Sequence, residues 1–323
     1  MTYDEQVERL TWLARDAATS YGLKIDALDL SAYTNNAVFR LTSGKHDYAL
    51  RVHRPGHKPL AWVESEAAWR TALFAAGLNV PEPLGGVYTG RLMDYTEPVH
   101  CTLSRWIEGA PRTLTDLHDT DLELIGVFAR QLHTVSQSFD PPPGFDRPHL
   151  DWGGLFGAGG PYDPGAGMRY FDGPQRAVIA RVTAQVRQVM NRLGRDRQHY
   201  GLIHADLIAK NLLFDAAGNL AVVDFDECAY GYYLYDLTPL IWLARGTTGQ
   251  ARVAAALWRG YNAVEPLDAA AREALDTFVM ARHVASCRWV AGNADHPAIR
   301  GQAEKIIAER VDEMRHYLMD GVR

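Results

Sequence analysis

The 323-residue sequence is poor in cysteine, and it has neither long apolar runs nor an excess of basic residues. Its three cysteines are widely spaced and odd in number, which argues against a disulfide framework and against a paired metal-ligand motif. No stretch approaches the roughly 18 uncharged apolar residues of a membrane span, and the first residues have no apolar signal core. With 33 Lys and Arg against 39 Asp and Glu, the net charge of −6 also argues against a general nucleic-acid binder. These absences predict a protein of the reducing cytoplasm that binds neither nucleic acid nor membranes.

The first third of the sequence has the pattern of short strands with inserted helices. Apolar runs at 37–41 and 48–52 flank the turn residues Ser43-Gly44-Lys45, which predicts a β-hairpin. Further elements of this part are predicted as a helix at about 4–18, a helix at about 62–76 ended by Gly77, and strands near 91–95 and 99–106. This part is therefore expected to be rich in β-structure.

Beyond about residue 106 the apolar residues recur at helical spacing. The segment from 141 to 167 interrupts this pattern, since it is rich in Gly and Pro and too irregular for either period. Two short apolar runs at 211–215 and 220–225, separated by Gly218-Asn219, predict a second β-hairpin. The predicted helices lie at 122–135, 178–193, 253–264 and 307–318.

The second hairpin collects oxygen-bearing side chains at one end. Asn211 opens the outgoing strand and Asp224 ends the returning strand, so we expect the two side chains to lie close together. Asp206 sits on the loop just before them. Carboxylate and amide oxygens suit Mg²⁺, which keeps several waters and takes one or two carboxylates together with substrate phosphates. The sequence therefore predicts a magnesium site at this hairpin.

The spacing His204-x-Asp206-x-x-x-x-Asn211, followed by Asp224-Phe225, resembles the catalytic loop and the metal-binding Asp of protein kinases. The fuller string from Leu202 to Phe214, with Val-Val-Asp-Phe-Asp-Glu after it, is more similar to the aminoglycoside phosphotransferase/choline kinase family. Bacterial members grouped with homoserine kinases and stress-response Ser/Thr kinases are the nearest in appearance. The resemblance implies an α+β, two-lobed, protein-kinase-like fold. It places a β-rich nucleotide-binding lobe at 1–104 and a larger helical lobe, with the catalytic loop and acceptor site, at 105–323.

Carried over by position, the family pattern gives each residue of this loop a role. Asp206 would orient and deprotonate the acceptor hydroxyl, and His204 would brace the loop more as a structural histidine than as a proton donor. Asn211 and Asp224 would hold Mg²⁺. Asp226 and Glu227 are candidates for contact with the acceptor, with a structural role as an equal alternative.

The nucleotide-binding part departs from the pattern of kinases, because Arg51 stands where a strand lysine clamps the phosphates. Glu66 lies on the following helix at a suitable distance to hold Arg51, whose fork suits both phosphate and carboxylate. Arg54 is the alternative cation. The resemblance also points to three further nucleotide contacts: Asn36 in the phosphate-covering turn, and Ser104 and Trp106 in the hinge segment.

These residues and the resemblance together predict a Mg²⁺-dependent kinase that moves the γ-phosphate of ATP, or of GTP, to a hydroxyl group of a small molecule such as an aminoglycoside, an amino alcohol or homoserine. A protein Ser/Thr acceptor is the alternative within the same class. A non-catalytic nucleotide-binding regulator is a second reading, motivated by Arg51, and a metal phosphohydrolase is a third, motivated by the pairs His118-Asp119 and Asp295-His296. The sequence leaves the acceptor and the oligomeric state open.

Overall fold

The structure, a computed structural model, describes residues 3–33, 35–92, 95–160, 162–165, 167–247, 249–267, 269–296 and 299–320. In the first part of the chain the elements are α1 (Tyr3–Ser20), β1 (Ala27–Tyr33), β2 (Ala37–Ser43), β3 (His46–Val52), α2 (Leu60–Ala75), β4 (Pro83–Gly90), β5 (Val99–Arg105) and β6 (Ala110–Pro111). In the second part they are α3 (Asp119–Ser138), β7 (His149–Leu150), α4 (Trp152–Phe156), α5 (Gly173–Leu193), β8 (Tyr200–Ile203), β9 (Leu212–Phe214), β10 (Leu220–Val222), β11 (Ala229–Tyr232), α6 (Thr238–Leu243), α7 (Gln250–Val264), α8 (Ala269–Gly292) and α9 (Ala303–Asp320).

The chain divides into two compact units, each made of several segments. The first unit contains Met1–Ala110, Phe139–Arg147 and Leu213–Asp226. The second contains Pro111–Ser138, Pro148–Leu212 and Glu227–Arg323. The predicted lobe boundary between residues 104 and 105 stays a prediction.

The first unit is built on an antiparallel sheet with strand order β1-β2-β3-β5-β4. The predicted hairpin is confirmed: β2 and β3 pair from Ala37↔Val52 to Ser43↔His46, and Gly44 takes a φ of 62° in the turn. Alternate residues of these strands, such as Phe39 and Leu50, are buried, as expected for a sheet with one core face. Helix α1 packs on that face through Leu10, Leu13, Ala14 and Ala17.

Two edge strands of this sheet differ from the sequence-based expectation. Among the described residues the predicted strand near 91–95 is wrong, because β4 ends at Gly90; Met93 and Asp94 lie outside the described residues. Strand β4 begins with Pro83, where a proline is tolerated because the first residue of a strand need not donate. Strand β1 was not predicted, although Leu28 and Leu30 alternate with Asp29 and Ser31 as in a half-buried strand. At the edge of the sheet its residues are half-buried or exposed.

The second hairpin is also confirmed. Strands β9 and β10 are neighbours in a small sheet, in the order β10-β9-β6. Asp215 holds the turn by accepting hydrogen bonds from the backbone N–H groups of Ala217 (2.8 Å) and Asn219 (2.9 Å). The backbone N–H of Val222 donates to the carbonyl of Asn79 at 3.0 Å, which ties β10 into the first unit.

The second unit is helical, as predicted, and its helices cover the predicted segments. Helices α3 and α7 pack closely because Gly126 and Gly260 have no side chains. A Cβ atom at Gly126 would collide with the backbone at Leu257, and one at Gly260 with the backbone at Glu123. Helix α8 was not predicted, since buried residues lie on all its sides and hide the helical period. The α+β class is therefore confirmed. No helix among the described residues combines the length and apolarity that a bilayer crossing requires.

Candidate active site

A strained turn follows strand β8 in the second unit. Ala205 has a φ of 66°, a left-handed conformation that is uncommon for a residue other than glycine. The buried carboxylate of Asp236 accepts the backbone N–H groups of His204 (2.8 Å) and Ala205 (2.5 Å). The N–H of Asp206 is 3.3 Å from the His204 ring. These bonds hold the turn that carries Asp206 in one conformation.

Asp236 is held in turn by a buried histidine. Its Oδ2 lies 3.0 Å from His133 Nε2, and the other ring nitrogen of His133 lies 2.9 Å from the Tyr261 hydroxyl. Burial lowers the pKa of His133, although Asp236 opposes this effect. We therefore assign a neutral His133 that donates from Nε2 to Asp236 and accepts from Tyr261. Asp236 therefore has a structural role, because its carboxylate holds the backbone of the turn and the His133 ring.

Replacing Asp236 with Ala should destabilise the protein strongly, because two backbone amides and the His133 ring would lose their acceptor inside the core. We expect the free energy of unfolding to fall by about 3 kcal/mol or more, measured by urea unfolding. Asp172→Ala is the matched control, since Asp172 caps α5 at the surface and should cost only about 1 kcal/mol. Equal losses in the two variants would contradict this role for Asp236.

The carboxylate of Asp206 is fixed from both sides. Its Oδ1 accepts from Arg282 at 3.2 Å, and its Oδ2 lies 3.3 Å from Asn211 Nδ2. Asn211 is buried, and Nδ2 also donates to the carbonyl of Asp206 at 2.9 Å. Among the described residues, both side-chain hydrogen bonds of Asn211 are donated by its NH₂ group. These bonds orient the amide so that its oxygen faces away from Asp206. The Asp206 side chain keeps 22% exposure.

His204 is fully buried behind this turn. Its backbone and ring both take part in holding the turn, through Asp236 and through the N–H of Asp206. The geometry suits the bracing role predicted from the sequence, and that role stays a proposal.

In the first unit, Arg51 on β3 connects two carboxylates. Its guanidinium lies 3.4 Å from Glu66 on α2 and 3.2 Å from Asp224, which follows β10. Burial raises the pKa of Glu66, but Arg51 and Arg70 more than offset this and leave it lowered, so Glu66 is ionised. The structure brings together the Arg51–Glu66 pair expected from the sequence, while its part in nucleotide binding stays a prediction.

Asp224 sits in a second strained turn. Its φ is 64°, and its side chain is 39% exposed. The next residue, Phe225, is fully buried and packs edge-on against Trp69 with ring centroids 5.6 Å apart. This aromatic anchor fixes the backbone that presents the Asp224 carboxylate.

Asp226 points into a buried cluster of basic side chains in the first unit. Its Oδ2 lies 2.8 Å from Lys58 Nζ, and its Oδ1 lies 3.7 Å from His53 and 3.9 Å from Arg51. Arg147 donates to the backbone carbonyl of Asp226 at 2.7 Å. Burial raises the pKa of Asp226, but Lys58 and Arg51 overcome this and lower it. For Asp226 the arrangement favours the structural alternative over acceptor contact.

Lys58 was not singled out by sequence reasoning. It stands in the loop before α2, between His57 and Pro59, and nothing in that stretch marks a buried ion pair. Arg282 was missed because α8 itself was missed, although an arginine within an apolar helix is a signal that could have found it.

Glu227 is exposed and belongs to the second unit. Burial raises the pKa of the Tyr162 hydroxyl, and Arg282, Glu227 and Asp206 are among the charged groups that act on it. Glu227 and Asp206 therefore each lie within electrostatic range of Tyr162, which keeps Glu227 a candidate for acceptor contact.

The remaining predicted nucleotide contacts lie on or beside the first sheet. The Asn36 carboxamide oxygen accepts from the backbone N–H of Arg54 at 3.1 Å, which fixes the turn before β2. Ser104 is buried in β5, opposite Ala49 of β3. Trp106 follows β5, and its ring lies under the Arg40 guanidinium at 4.8 Å. Their contacts with a nucleotide stay predictions.

Of the residues that motivated a phosphohydrolase, Asp119 takes part in surface ion pairs. Asp119 forms ion pairs with Arg252 (2.7 Å) and Arg259 (3.0 Å) at the start of α3. Across the described ranges, no three His, Cys, Asp or Glu side chains are grouped so as to hold a metal ion by themselves. The donor set predicted from the catalytic loop is a different one, made of amide, carboxylate and phosphate oxygens.

Comparison with known proteins assigns the family. Residues 27–275 match the model of the phosphotransferase enzyme family, APH. The chain belongs to this family, so the resemblance predicted from the catalytic loop is confirmed, as is the prediction of an enzyme of the phosphotransferase, kinase-type class. No curated protein sequence matches the chain significantly.

Solved structures share the fold over almost the whole chain. The microcompartment-associated aminopropanol kinase has a TM-score of 0.84 at 25% identity, over 97% of this chain and 99% of that chain. Amicoumacin kinase, solved with AMP-PNP, Ca²⁺ and Ami, has a TM-score of 0.77 at 18% identity, over 97% and 96%. Spectinomycin phosphotransferase, solved with ADP and spectinomycin, has 0.56 at 15%, over 94% and 98%. The predicted kinase-like α+β fold is confirmed.

Proposed function

We propose that the protein transfers the γ-phosphate of ATP to a hydroxyl group of a small molecule, with Mg²⁺ as the metal. The observation that carries the proposal is Asp206, a partly exposed carboxylate fixed on a strained turn by Asn211 and Arg282. A carboxylate held in this way is suited to orient an acceptor hydroxyl and to take its proton. GTP is the alternative donor.

Asn211 and Asp224 would hold the magnesium ion. Both supply hard oxygen donors, and the Asn211 amide is oriented by its own hydrogen bonds. The Asp224 carboxylate is exposed enough to reach a metal and is kept in place by Arg51 and by its strained backbone. When bound, the ion would neutralise charge on the phosphates.

Arg51 would position the phosphates. A permanently charged, forked guanidinium can contact phosphate oxygens while Glu66 holds it from the other side. Phosphoryl transfer needs mainly positioning and charge neutralisation, so an arginine can serve where related folds use lysine.

The acceptor that best suits the second unit is an amino alcohol. Glu227 adds a negative charge near Tyr162 beyond the paired charges of Asp206 and Arg282, and this favours a cationic group on the acceptor. The structure with the TM-score of 0.84 belongs to an aminopropanol kinase, which supports this class. A protein Ser/Thr acceptor stays the alternative. The free, buried cysteines fit the cytoplasm as the location.

The proposal is tested by measuring ADP release with Mg²⁺-ATP, and GDP release with Mg²⁺-GTP, in the presence of amino alcohols, homoserine, aminoglycosides and neutral polyols. We expect release that depends on an amino alcohol, with the phosphorylated product seen by mass spectrometry. Release without any acceptor would favour hydrolysis instead. Nucleotide binding in a thermal-shift assay with no product for any acceptor would favour the non-catalytic regulator.

A further inference from the structure

Arg282 is a charged residue within the largely buried helix α8. Its side chain is only 16% exposed. One guanidinium nitrogen lies 3.2 Å from Asp206 Oδ1, and the other lies 3.4 Å from the backbone carbonyl of Ala205. A single planar group therefore contacts both the carboxylate of Asp206 and the strained residue before it.

The turn is thus held from two directions by groups of opposite charge. Asp236 accepts the N–H groups of His204 and Ala205, while Arg282 donates to the carbonyl of Ala205 and to the Asp206 side chain. A non-glycine residue with positive φ persists only where the surroundings over-determine it. Asp236 fixes the donors of the turn, and Arg282 fixes its acceptors.

The contact leaves Asp206 able to accept a proton. Each carboxylate oxygen has two lone pairs, and Arg282 and Asn211 each use one lone pair of a different oxygen. The carboxylate is therefore locked in rotation about its side-chain bonds, and the remaining lone pairs face fixed directions.

From this geometry we infer that Arg282 is a positioning residue for phosphoryl transfer, which sets the orientation of the Asp206 carboxylate toward the acceptor hydroxyl. The inference rests on the proposed function. Arg282 acts through Asp206 and through the Ala205 carbonyl, so its loss should change kcat and leave the affinity for the nucleotide unchanged.

Lysine would replace Arg282 poorly at this position. The guanidinium presents parallel N–H groups in a fixed plane, which allows one side chain to contact two acceptors at once. An ammonium group would keep the charge but lose the geometry. The charge and the shape of Arg282 can therefore be separated by experiment.

The test compares Arg282→Lys and Arg282→Met with Arg272→Met, in the full-length protein. Arg272 lies on the same helix and pairs with Asp276 at the surface, so it controls for loss of an α8 arginine. We expect Arg282→Met to lower kcat about 100-fold with the KM for Mg²⁺-ATP changed by less than about twofold. Arg282→Lys should lower kcat by an intermediate amount, about tenfold, and Arg272→Met should keep the kcat of wild type.

A second measurement follows the turn itself, by hydrogen exchange of the Ala205 amide in NMR. Without Arg282 this amide should exchange at least about tenfold faster, while amides of the β2–β3 hairpin keep their rates. Added guanidinium should restore part of the kcat of an Arg282→Ala variant, because the shortened side chain leaves room for it and it supplies the missing donors.

The outcomes separate the two claims. If wild type transfers phosphate and Arg282→Met keeps a kcat within about twofold of it, the inference about Arg282 is overturned and the proposed function stands. If wild type transfers phosphate to no acceptor, the proposed function fails. The exchange rate of the Ala205 amide then decides whether Arg282 holds the turn, and an unchanged rate in Arg282→Met would overturn that contact role as well.

Discussion

Replacing Asp206 with Asn should lower kcat by about three orders of magnitude and leave the affinity for Mg²⁺-ATP within about twofold. The substitution keeps the size of the side chain and one oxygen acceptor, but it removes the carboxylate that orients the hydroxyl and takes its proton. Asp206 lies in the second unit, where it contacts Arg282 and Asn211. Because its proposed role is to activate the acceptor hydroxyl, its loss should affect the chemical step. Steady-state kinetics and isothermal titration with a non-hydrolysable ATP analogue measure the two quantities.

Asp196→Asn is the control for this result. It makes the same change of charge in the second unit at a side chain that is 62% exposed. We expect it to keep wild-type kcat. A fully active Asp206→Asn enzyme would remove Asp206 as the base, and an equal fall in both affinity and kcat would indicate a general loss of the site.

Replacing Asp224 with Asn should weaken both binding and catalysis. Asp224 supplies the proposed metal carboxylate and also holds Arg51, so the change removes a negative ligand and frees the phosphate-positioning cation from one partner. We expect the KM for Mg²⁺-ATP to rise at least about tenfold and kcat to fall about 100-fold. Titration of Mg²⁺ at fixed ATP should show a higher requirement for the metal than in wild type.

The matched control for Asp224→Asn is Asp29→Asn, an exposed carboxylate of β1 in the same unit. It should leave the metal requirement unchanged. The comparison with Asp206→Asn distinguishes the two roles better than this control does. Loss of Asp206 should leave nucleotide binding unchanged, and loss of Asp224 should weaken it. Identical kinetic patterns for Asp206→Asn and Asp224→Asn would contradict the separate roles assigned to them.

Local spacing predicted the β9–β10 hairpin, which the structure confirms, and the loop before it. The run from His204 to Asn211 and the β9–β10 hairpin combine strong turn signals with short apolar runs, and such features depend on neighbouring residues alone. The sequence also showed that Arg51 occupies the position of the usual strand lysine, because the strand with Arg51 is followed by the helix with Glu66 in the same order as in kinases. These residues are where local chemistry and fold agree.

The parts that were missed depend on contacts distant in sequence. Helix α8 carries Arg282 to the Asp206 turn across some 76 residues of chain, and its burial on all sides leaves no amphipathic period to read. Lys58 pairs with Asp226 over 168 residues, which turns a carboxylate that looked free for the acceptor into part of a buried cluster. No property of Lys58 or Asp226 alone reveals that pairing.

The central proposal is that Asn211 and Asp224 would hold one divalent ion bound to the phosphates of the nucleotide, with the acceptor hydroxyl at Asp206. A crystal structure with Mg²⁺, a non-hydrolysable ATP analogue and an amino alcohol tests it most directly. We expect oxygens of both side chains at about 2.1 Å from the ion, and the acceptor hydroxyl within hydrogen-bonding distance of Asp206. A magnesium ion bound without either of these side chains, or an acceptor held away from Asp206, would contradict the account.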